Sequence, residues 1–440
     1  MRGLIRRAAV AAGAAVVVLG PAVGPPALVG ATPAASASAA VPGWSITPSP
    51  TPRVPTGQLF WVSCPAAHSC MAVGNYVKTS GVAVGLAGWW DGTSWRILRT
   101  PTPPGAAISS LSGVACTAPS ACTAVGTSFT TAGASQALAE RWNGTRWTIQ
   151  PTPNPPQGGG GLNGVSCTSA RACTAVGGSN AGTLAERWNG IRWAIQPTPN
   201  PSGSPGSFLN SVACTSASFC TAVGGHIDSA GNSVGTLAEL WNGTRWTIQP
   251  APKLPGGGLT GVSCTSMAAC TAVGTLSGPS SPGPATLAER WDGTKWRVQP
   301  TPVLSGLFWG VACHASACTA VGLKVTGSGP LTLAERWDGT RWRIQPTPNP
   351  PQGSGFLSGV YDINPPVVAC PSPSACTAVT SYANVFQKVT LAEQWNGTGQ
   401  AGPLPASTPA PPGGLPAAYP RAPLLQPRSV WGRTPVSYRR

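Results

Sequence analysis

Residues 138–151 read Leu138-Ala139-Glu140-Arg141-Trp142-Asn143-Gly144-Thr145-Arg146-Trp147-Thr148-Ile149-Gln150-Pro151. An Asn-Gly step between two apolar, strand-like runs is a strong local signal for a β-hairpin. Near copies carry tryptophan pairs at Trp90/Trp95, Trp188/Trp193, Trp241/Trp246, Trp291/Trp296 and Trp337/Trp342, and a seventh copy starts at Trp395 and breaks off. With a two-residue turn, Glu140 would face Trp147 and Leu138 would face Ile149 across the ladder. The same register would set Arg141 against Arg146. Two like charges in that position favour either a longer turn or arginines that splay toward other partners.

Working outward, each hairpin is the second half of a unit of about fifty residues. The unit opens with Leu-x-Gly-Val-(Ser/Ala)-Cys, passes a short loop to Cys-Thr-Ala-Val-Gly, crosses a variable segment and enters the hairpin. It leaves through Pro-Thr-Pro and a Pro/Gly-rich link. This gives four strands per unit, and period and strand count together predict a β-propeller of four-stranded antiparallel blades. Small residues in the first two strands suit crowded positions near an axis. The tryptophans suit the outer half, and the Pro that ends the fourth strand suits an edge.

The ends of the array decide between a ring and a solenoid. The seventh unit, Leu391 to Thr398, lacks its second Trp and fourth strand, while Trp44-Ser45-Ile46-Thr47-Pro48 near the start matches Trp147-Thr148-Ile149-Gln150-Pro151. The expectation is an all-β, seven-bladed ring over residues 40–400. In it, the N-terminal strand 44–50 completes the last blade at 360–398 and covers an otherwise open edge.

Several features of this unit resemble the Kelch-type propellers, loosely those of the galactose-oxidase kind. Ala175-Val176-Gly177-Gly178 and Ala222-Val223-Gly224-Gly225 match the apolar second strand ending in Gly-Gly, and Trp193 and its equivalents match the fourth-strand Trp. The Cys pairs and the Trp-Asn-Gly-Thr turn depart from that pattern, so the resemblance implies fold and not activity. The unit is also similar to repeats of exported bacterial propellers.

All fourteen cysteines fall in close pairs: Cys64/Cys70, Cys116/Cys122, Cys167/Cys173, Cys214/Cys220, Cys264/Cys270, Cys313/Cys318 and Cys370/Cys376. An even count with none left over in an exported chain reads as seven local disulfides, each stapling the ends of two neighbouring strands. Metal binding would want further His or Cys, and only His68 and His314 lie in these loops. The N-terminus fits export. Basic Arg2, Arg6 and Arg7 precede an apolar run from Ala8 to Leu19, and Ala-Ser-Ala cleavage patterns follow at 35–39. Residues 1–39 are therefore read as a secretory signal, with an uncleaved anchor as the alternative. Residues 401–440 are read as a disordered, Pro-rich basic tail.

The formal charge of +16 is inflated by signal and tail; residues 44–400 hold 19 basic and 11 acidic residues. The basic residues are spread over all the units, up to four in one, without a run, so no nucleic-acid groove is indicated, while a general attraction to anionic polymers such as wall polysaccharide is compatible with them. Glu140, Glu186, Glu239, Glu289, Glu335 and Glu393 recur at one unit position, which argues for a structural hydrogen-bonding role rather than catalysis. Only Asp228 and Asp362 fall outside recurrent positions. No Ser-His-Asp set, phosphate loop or cofactor motif is present, and no cofactor is expected. The segments between second and third strands vary most, and variable loops on a rigid frame are where recognition concentrates. They supply the candidate binding residues Tyr76, Lys78, Phe129, His226, Asp228 and Tyr382. The expected function is a secreted, monomeric, noncatalytic binding or scaffold module for an extracellular polysaccharide or protein, with no membrane span after signal cleavage. The alternative is a secreted hydrolase or lyase whose site is built from nonrepeated loops.

Overall fold

In the computed structural model, residues 43–47, 56–204, 206–277, 283–327, 329–349, 363–383 and 388–397 are described. The segments expected to be a signal and a tail, and Asp362, lie outside them. Twenty-eight strands, numbered β1–β28 in chain order, make seven four-stranded antiparallel blades. Blade 3 shows the plan: β10 (Gly160–Ser169) pairs with β11 (Ala172–Ser179), β11 with β12 (Gly182–Trp188), and β12 with β13 (Trp193–Gln196). The fourth strand pairs only with the third, so it is the outer edge, as the terminal Pro requires.

The ring closes as the sequence suggests. Strand β1 (Gly43–Thr47) lies antiparallel to β28 (Lys388–Asn396), with Trp44 opposite Trp395 and Ile46 opposite Glu393. Trp44 also packs on the neighbouring sixth blade, beside Val321 and Ala334. Its Nε1 donates to Gln345 Oε1 at 3.3 Å. The same link joins Trp193 to Gln150, Trp246 to Gln196 and Trp296 to Gln249 at 3.0–3.1 Å. The N-terminal strand thus behaves as any other fourth strand.

The hairpin register differs from the two-residue reading. Trp142 faces Trp147, Arg141 faces Thr148 and Glu140 faces Ile149. Four residues, Asn143 to Arg146, make the turn because the Asn143 side chain organises it: Oδ1 accepts from Thr145 N, Thr145 Oγ1 and Arg146 N at 2.8–2.9 Å. Gly144 follows at φ 94°, a conformation that glycine adopts at little cost. The facing tryptophans lie 5.8 Å apart and tilted by 44°, an arrangement favoured by the ring quadrupoles.

The core sits between blades. Val125, Ala137 and Ala139 of the second blade pack with Leu162, Leu184, Trp188 and Trp193 of the third. Near the axis, the Gly that ends Cys-Thr-Ala-Val-Gly is forced: a Cβ on Gly177 would collide with the carbonyl of Gly161 across the ladder. The seventh blade has Thr380 there. Its first strand shifts register by one residue between Asn364 and Val367, as the other blades do, for example between Leu162 and Gly164.

All seven disulfides form within their own loops, with Cα–Cα distances of 4.0–4.1 Å. They suit an oxidising compartment. The pairing is as expected, and the bonds staple the facing ends of first and second strands, as Cys167 faces Cys173 between β10 and β11. The first half-cystine of each pair is half-buried. The second (Cys70, Cys122, Cys173, Cys220, Cys270, Cys318 and Cys376) is only 0–5% exposed and belongs to the hydrophobic core of its blade. The second strand lies inside the sheet, and the register sets each of these cysteines opposite the first Trp of the hairpin, as Cys70 faces Trp90 and Cys376 faces Trp395.

Their sulfurs also touch the preceding blade. Cys70 Sγ lies 3.5 Å from Thr377 Oγ1, Cys220 3.6 Å from Thr174 and Cys270 3.8 Å from Thr221. Cys173, Cys318 and Cys376 meet Thr123, Thr271 and Thr319 at 3.5–3.9 Å. A half-cystine has no proton to give, so the threonine hydroxyl is the donor. Cys122 differs because the preceding blade has Met71 in place of that Thr, and the two sulfur side chains share one apolar cluster. These seven are core residues, closed to any ligand.

Closing so short a loop is worth about 2 kcal/mol in the chain-entropy treatment. Replacing Cys167 and Cys173 together by Ser is accordingly expected to lower the unfolding free energy by at least about 2 kcal/mol in denaturant titration, since a buried hydroxyl at 173 adds to the lost crosslink. Far-ultraviolet circular dichroism should be unchanged. No helix among the described residues is long and apolar enough to cross a membrane.

Candidate functional site

Alternation of strand direction gives the ring two faces. One carries the disulfide loops and the Trp-(Asn/Asp)-Gly turns; the other carries the variable loops and the Pro/Gly links. The six candidate binding residues belong to the second face. Tyr76 sits near the end of β3 (Ser69–Val77) and is half-buried against the core shared by the first and seventh blades; Lys78 follows it and is exposed. Phe129 lies in β7 (Ala121–Thr130), opposite Ile108. Tyr382 lies in β27 (Ala375–Ala383), opposite Ile363 and Val389. These four positions therefore fall on three consecutive blades, the seventh, first and second. His226 and Asp228 are on the fourth blade, and no hydrogen bond or ring contact joins any two of the six among the described residues.

Local chemistry assigns the fourth-blade pair to loop architecture. His226 Nδ1 lies 2.7 Å from Ser204 Oγ, and partial burial lowers its pKa, so the ring is neutral near pH 7. Asp228 Oδ1 accepts from the backbone N–H groups of Ala230 and Asn232 at 2.9 Å, and its Oδ2 accepts from Asn232 Nδ2 at 3.2 Å. These bonds, led by those from Asn232, hold its carboxyl below the usual range. Asp228 closes its own turn.

The remaining described carboxyls are of two kinds. Asp91, Asp292 and Asp338 occupy the turn position of Asn143. Thr93, Thr294 and the Arg343–Thr340 pair are the leading donors that keep them ionised well below the ordinary range. The six recurrent glutamates are the opposite case. Glu186, Glu239, Glu289 and Glu335 are fully buried, with Glu140 and Glu393 nearly so. Desolvation pushes Glu140, Glu186, Glu239, Glu335 and Glu393 up to about 8 and Glu289 to about 7. The sequence suggested a hydrogen-bonding role, yet neither carboxyl oxygen of Glu186, Glu239, Glu289 or Glu335 has a protein hydrogen bond of full geometry. Thr183 approaches Glu239, and Thr236 approaches Glu289, each from the preceding blade. These side chains are weakened acids sealed at blade interfaces, one per blade from the second to the seventh. The first blade has Gly88 in this place, opposite Ala72 and Ile97.

Two cavities mark the disulfide face. A 280 Å³ depression at the axis is walled by the inner strands of the first, second, third and seventh blades, including Trp61, Ser63, Ser166 and the half-cystines Cys64, Cys116, Cys167 and Cys370. A larger cleft of 400 Å³ lies at the rim between the third and fourth blades, where Arg187 and Arg245 meet Trp241 and Gln196. Sequence reasoning missed this cleft because its members lie in different units and its arginines form no run. Among the described residues no three His, Cys, Asp or Glu side chains converge as a metal site.

No family model and no curated protein matches the chain. Among solved structures, the chain is similar to YCF48 bound to a D1 peptide at 14% identity, with 81% of this chain and 99% of that one covered and a TM-score of 0.48. It is similar to U3-55K at 10% identity, with 80% and 99% covered and a TM-score of 0.48. A protein of unknown function from Dyadobacter fermentans DSM 18053 aligns at 9% identity, with 80% and 98% covered and a TM-score of 0.44. The blade assignment rests on the strand pairing itself.

Proposed function

We propose that the chain is a secreted, monomeric, noncatalytic propeller that binds an extracellular or envelope partner, polysaccharide or protein, on a rigid disulfide-stapled frame. The observation that carries this reading is the disposition of the carboxyls. Ten of the eleven Asp and Glu residues are described, and each is committed to structure: six are buried between blades with their pKa raised by desolvation, and four are held by hydrogen bonds of their own turns. Glycoside cleavage needs an acid and a base facing one site about 5–9 Å apart, and these groups are distributed one or two to a blade. A propeller also offers loops from consecutive blades on one face, which suits recognition by Tyr76, Lys78, Phe129 and Tyr382. The Kelch likeness belongs to this proposal as well, supported by the Gly-Gly ends of the second strands at Gly177-Gly178 and Gly224-Gly225.

A glycan array run beside a panel of chromogenic glycosides tests the reading. The expected result is retention of a glycan or a protein ligand with no turnover, and a tenfold or greater loss of binding when Tyr76 and Tyr382 are both changed to Ala. Turnover that disappears in Asp228→Ala, under conditions where that variant keeps its thermal midpoint, would overturn it in favour of a hydrolase or lyase.

A further inference from the structure

The turn face is unevenly charged. In the first, fifth and sixth blades the turn begins with Asp91, Asp292 or Asp338, and each is paired with arginine: Arg96 at 3.0 Å, Arg297 at 2.8 Å and Arg343 at 2.7 Å. In the second, third and fourth blades the turn begins with Asn143, Asn189 or Asn242. Those three blades carry Arg141, Arg146, Arg171, Arg187, Arg192 and Arg245 around the disulfide loops and turns. Their carboxyls are the buried Glu140, Glu186 and Glu239, and Asp228 on the opposite face. The fifth and sixth blades keep Arg290, Lys295, Arg336 and Arg341 beyond their Asp–Arg pairs, so the cationic arc runs from the second blade to the sixth, and in the second to fourth blades no turn carboxylate interrupts it.

The 400 Å³ cleft lies within this arc. One wall is the outer strand of the third blade, from Ala194 to Pro197, and the other is the fourth-blade turn at Thr244 and Arg245, with Trp241 between them. Arg187 is pinned in place. Its guanidinium lies 5.4 Å from the centroid of the Trp241 ring, and its Nη2 donates to the carbonyl of Ala217. A guanidinium fixed by stacking and by one hydrogen bond keeps further N–H donors in a preset direction, so little ordering remains when it takes an oxyanion. Gln196 Oε1 is occupied by Trp246 Nε1, which leaves its amide NH₂ as the donor end.

Comparison with the fifth and sixth blades shows what keeps this opening clear. Arg290 stacks over Trp337 in the same way, also at 5.4 Å. There, however, the position of Ala194 is taken by Arg297, which closes onto Asp292. A small side chain at Ala194 and an uncharged Asn189 keep the third-blade site open and positive.

We propose that this cleft is the docking point for an acidic polysaccharide, one of whose carboxylates or sulfates is held between Arg187 and Arg245, with the flanking arginines following the chain along the rim. Charge recurring at blade pitch is complementary to a polymer with regularly repeated anions, and the apolar lining from Ala194, Ile195 and Pro197 suits the faces of sugar rings. This inference rests on the proposed binding function and names its substrate class.

Affinity electrophoresis of the full chain in gels containing polygalacturonate, dextran sulfate, poly-glutamate or neutral dextran tests it. The expected result is retardation by polygalacturonate or dextran sulfate, the stronger of the two identifying the anion, and none by neutral dextran. Arg245→Ala and Arg187→Ala should each weaken retention at least tenfold, and Arg297→Ala, which removes an already neutralised charge, should not. Ala194→Arg is the decisive variant: it adds positive charge but fills the cleft, so retention should fall. Retention that rises in Ala194→Arg, or that is equal for poly-glutamate, would overturn the proposal and leave only diffuse attraction or a protein partner. Failure on all acidic polymers with a neutral glycan captured on the array would overturn the cleft assignment alone, whereas turnover of a glycoside would overturn the binding reading beneath it.

Discussion

Changing Trp44 to Ala is expected to cost about 3–5 kcal/mol of stability, the range for removing a large buried aromatic. The residue is 7% exposed, its ring is 6.0 Å from that of Trp395, and it fills the space against Val321 and Ala334 of the adjacent blade. Starting the chain at residue 51 instead of 40 goes further, because it removes all five rungs between β1 and β28 and bares the edge of the last blade. An unpaired edge with Trp395 exposed beside it is a template for association with a second chain. Thermal unfolding and size-exclusion chromatography should show a large fall in midpoint and the appearance of dimers or aggregates. Trp147→Ala, an equivalent fourth-strand change away from the seam, should lose comparable stability and stay monomeric. A shortened chain that melts with the full one would refute closure by the N-terminal strand.

The second large effect is on pH dependence. Five of the buried glutamates titrate at about 8 and Glu289 at about 7, against 4.5 for the free side chain. Between these limits the folded chain keeps protons that the unfolded chain has released. The stability that these groups allow is thus fully present below about pH 4.5 and is lost as pH rises toward 8, by up to about 1.4 kcal/mol per group for each pKa unit of separation. The aspartates act in the other direction, since Asp91, Asp228, Asp292 and Asp338 have lowered values and weaken the fold only when they protonate in stronger acid. The thermal midpoint is expected to peak in mild acid and to fall steadily from pH 5 to pH 8. Glu186→Gln keeps the shape and removes the titration. It should raise the midpoint at pH 8 by several degrees, leave it nearly unchanged at pH 4.5, and flatten the slope. A midpoint that climbs from pH 5 to pH 8 would show that these carboxyls are ionised in the fold.

The sixfold repetition of glutamate is an instance of how far local pattern can be read. Its recurrence argues against a unique catalytic part for any one copy, and that inference needs no coordinates. Its protonation state did need them, because it depends on a neighbouring blade that closes over the side chain. Leu184, on the same strand face as Glu186, packs with the preceding blade through Ala137 and Ala139, residues 45 or more positions away. The cysteines divide in the same way. Their pairing is legible from spacing, but the burial of the second member against a threonine of the preceding blade is not, as with Cys220 and Thr174. The turn length failed for a smaller reason. Asn-Gly allows a two-residue connection, but here the three hydrogen bonds accepted by Asn143 Oδ1 outweigh it and set four residues between Trp142 and Trp147.

What the amino-acid order determines alone is whatever repeats or is close in sequence: strand count, the Cys pairing, the Gly at the axis and the fourth strand of the seventh blade supplied by Trp44 to Thr47. Each is either a local constraint or a periodic one, so comparing the units within one chain exposes it. The tertiary structure alone decided which residues of different blades meet. Arg187 and Arg245 are 58 positions apart and unremarkable in their own units. Packing of the third blade against the fourth puts them across one cleft, while Ala194 leaves that cleft open and Asn189 leaves it without a negative charge. Electrostatic fields and cavities depend on distances through space rather than along the chain, and the circular stacking of blades is what sets those distances.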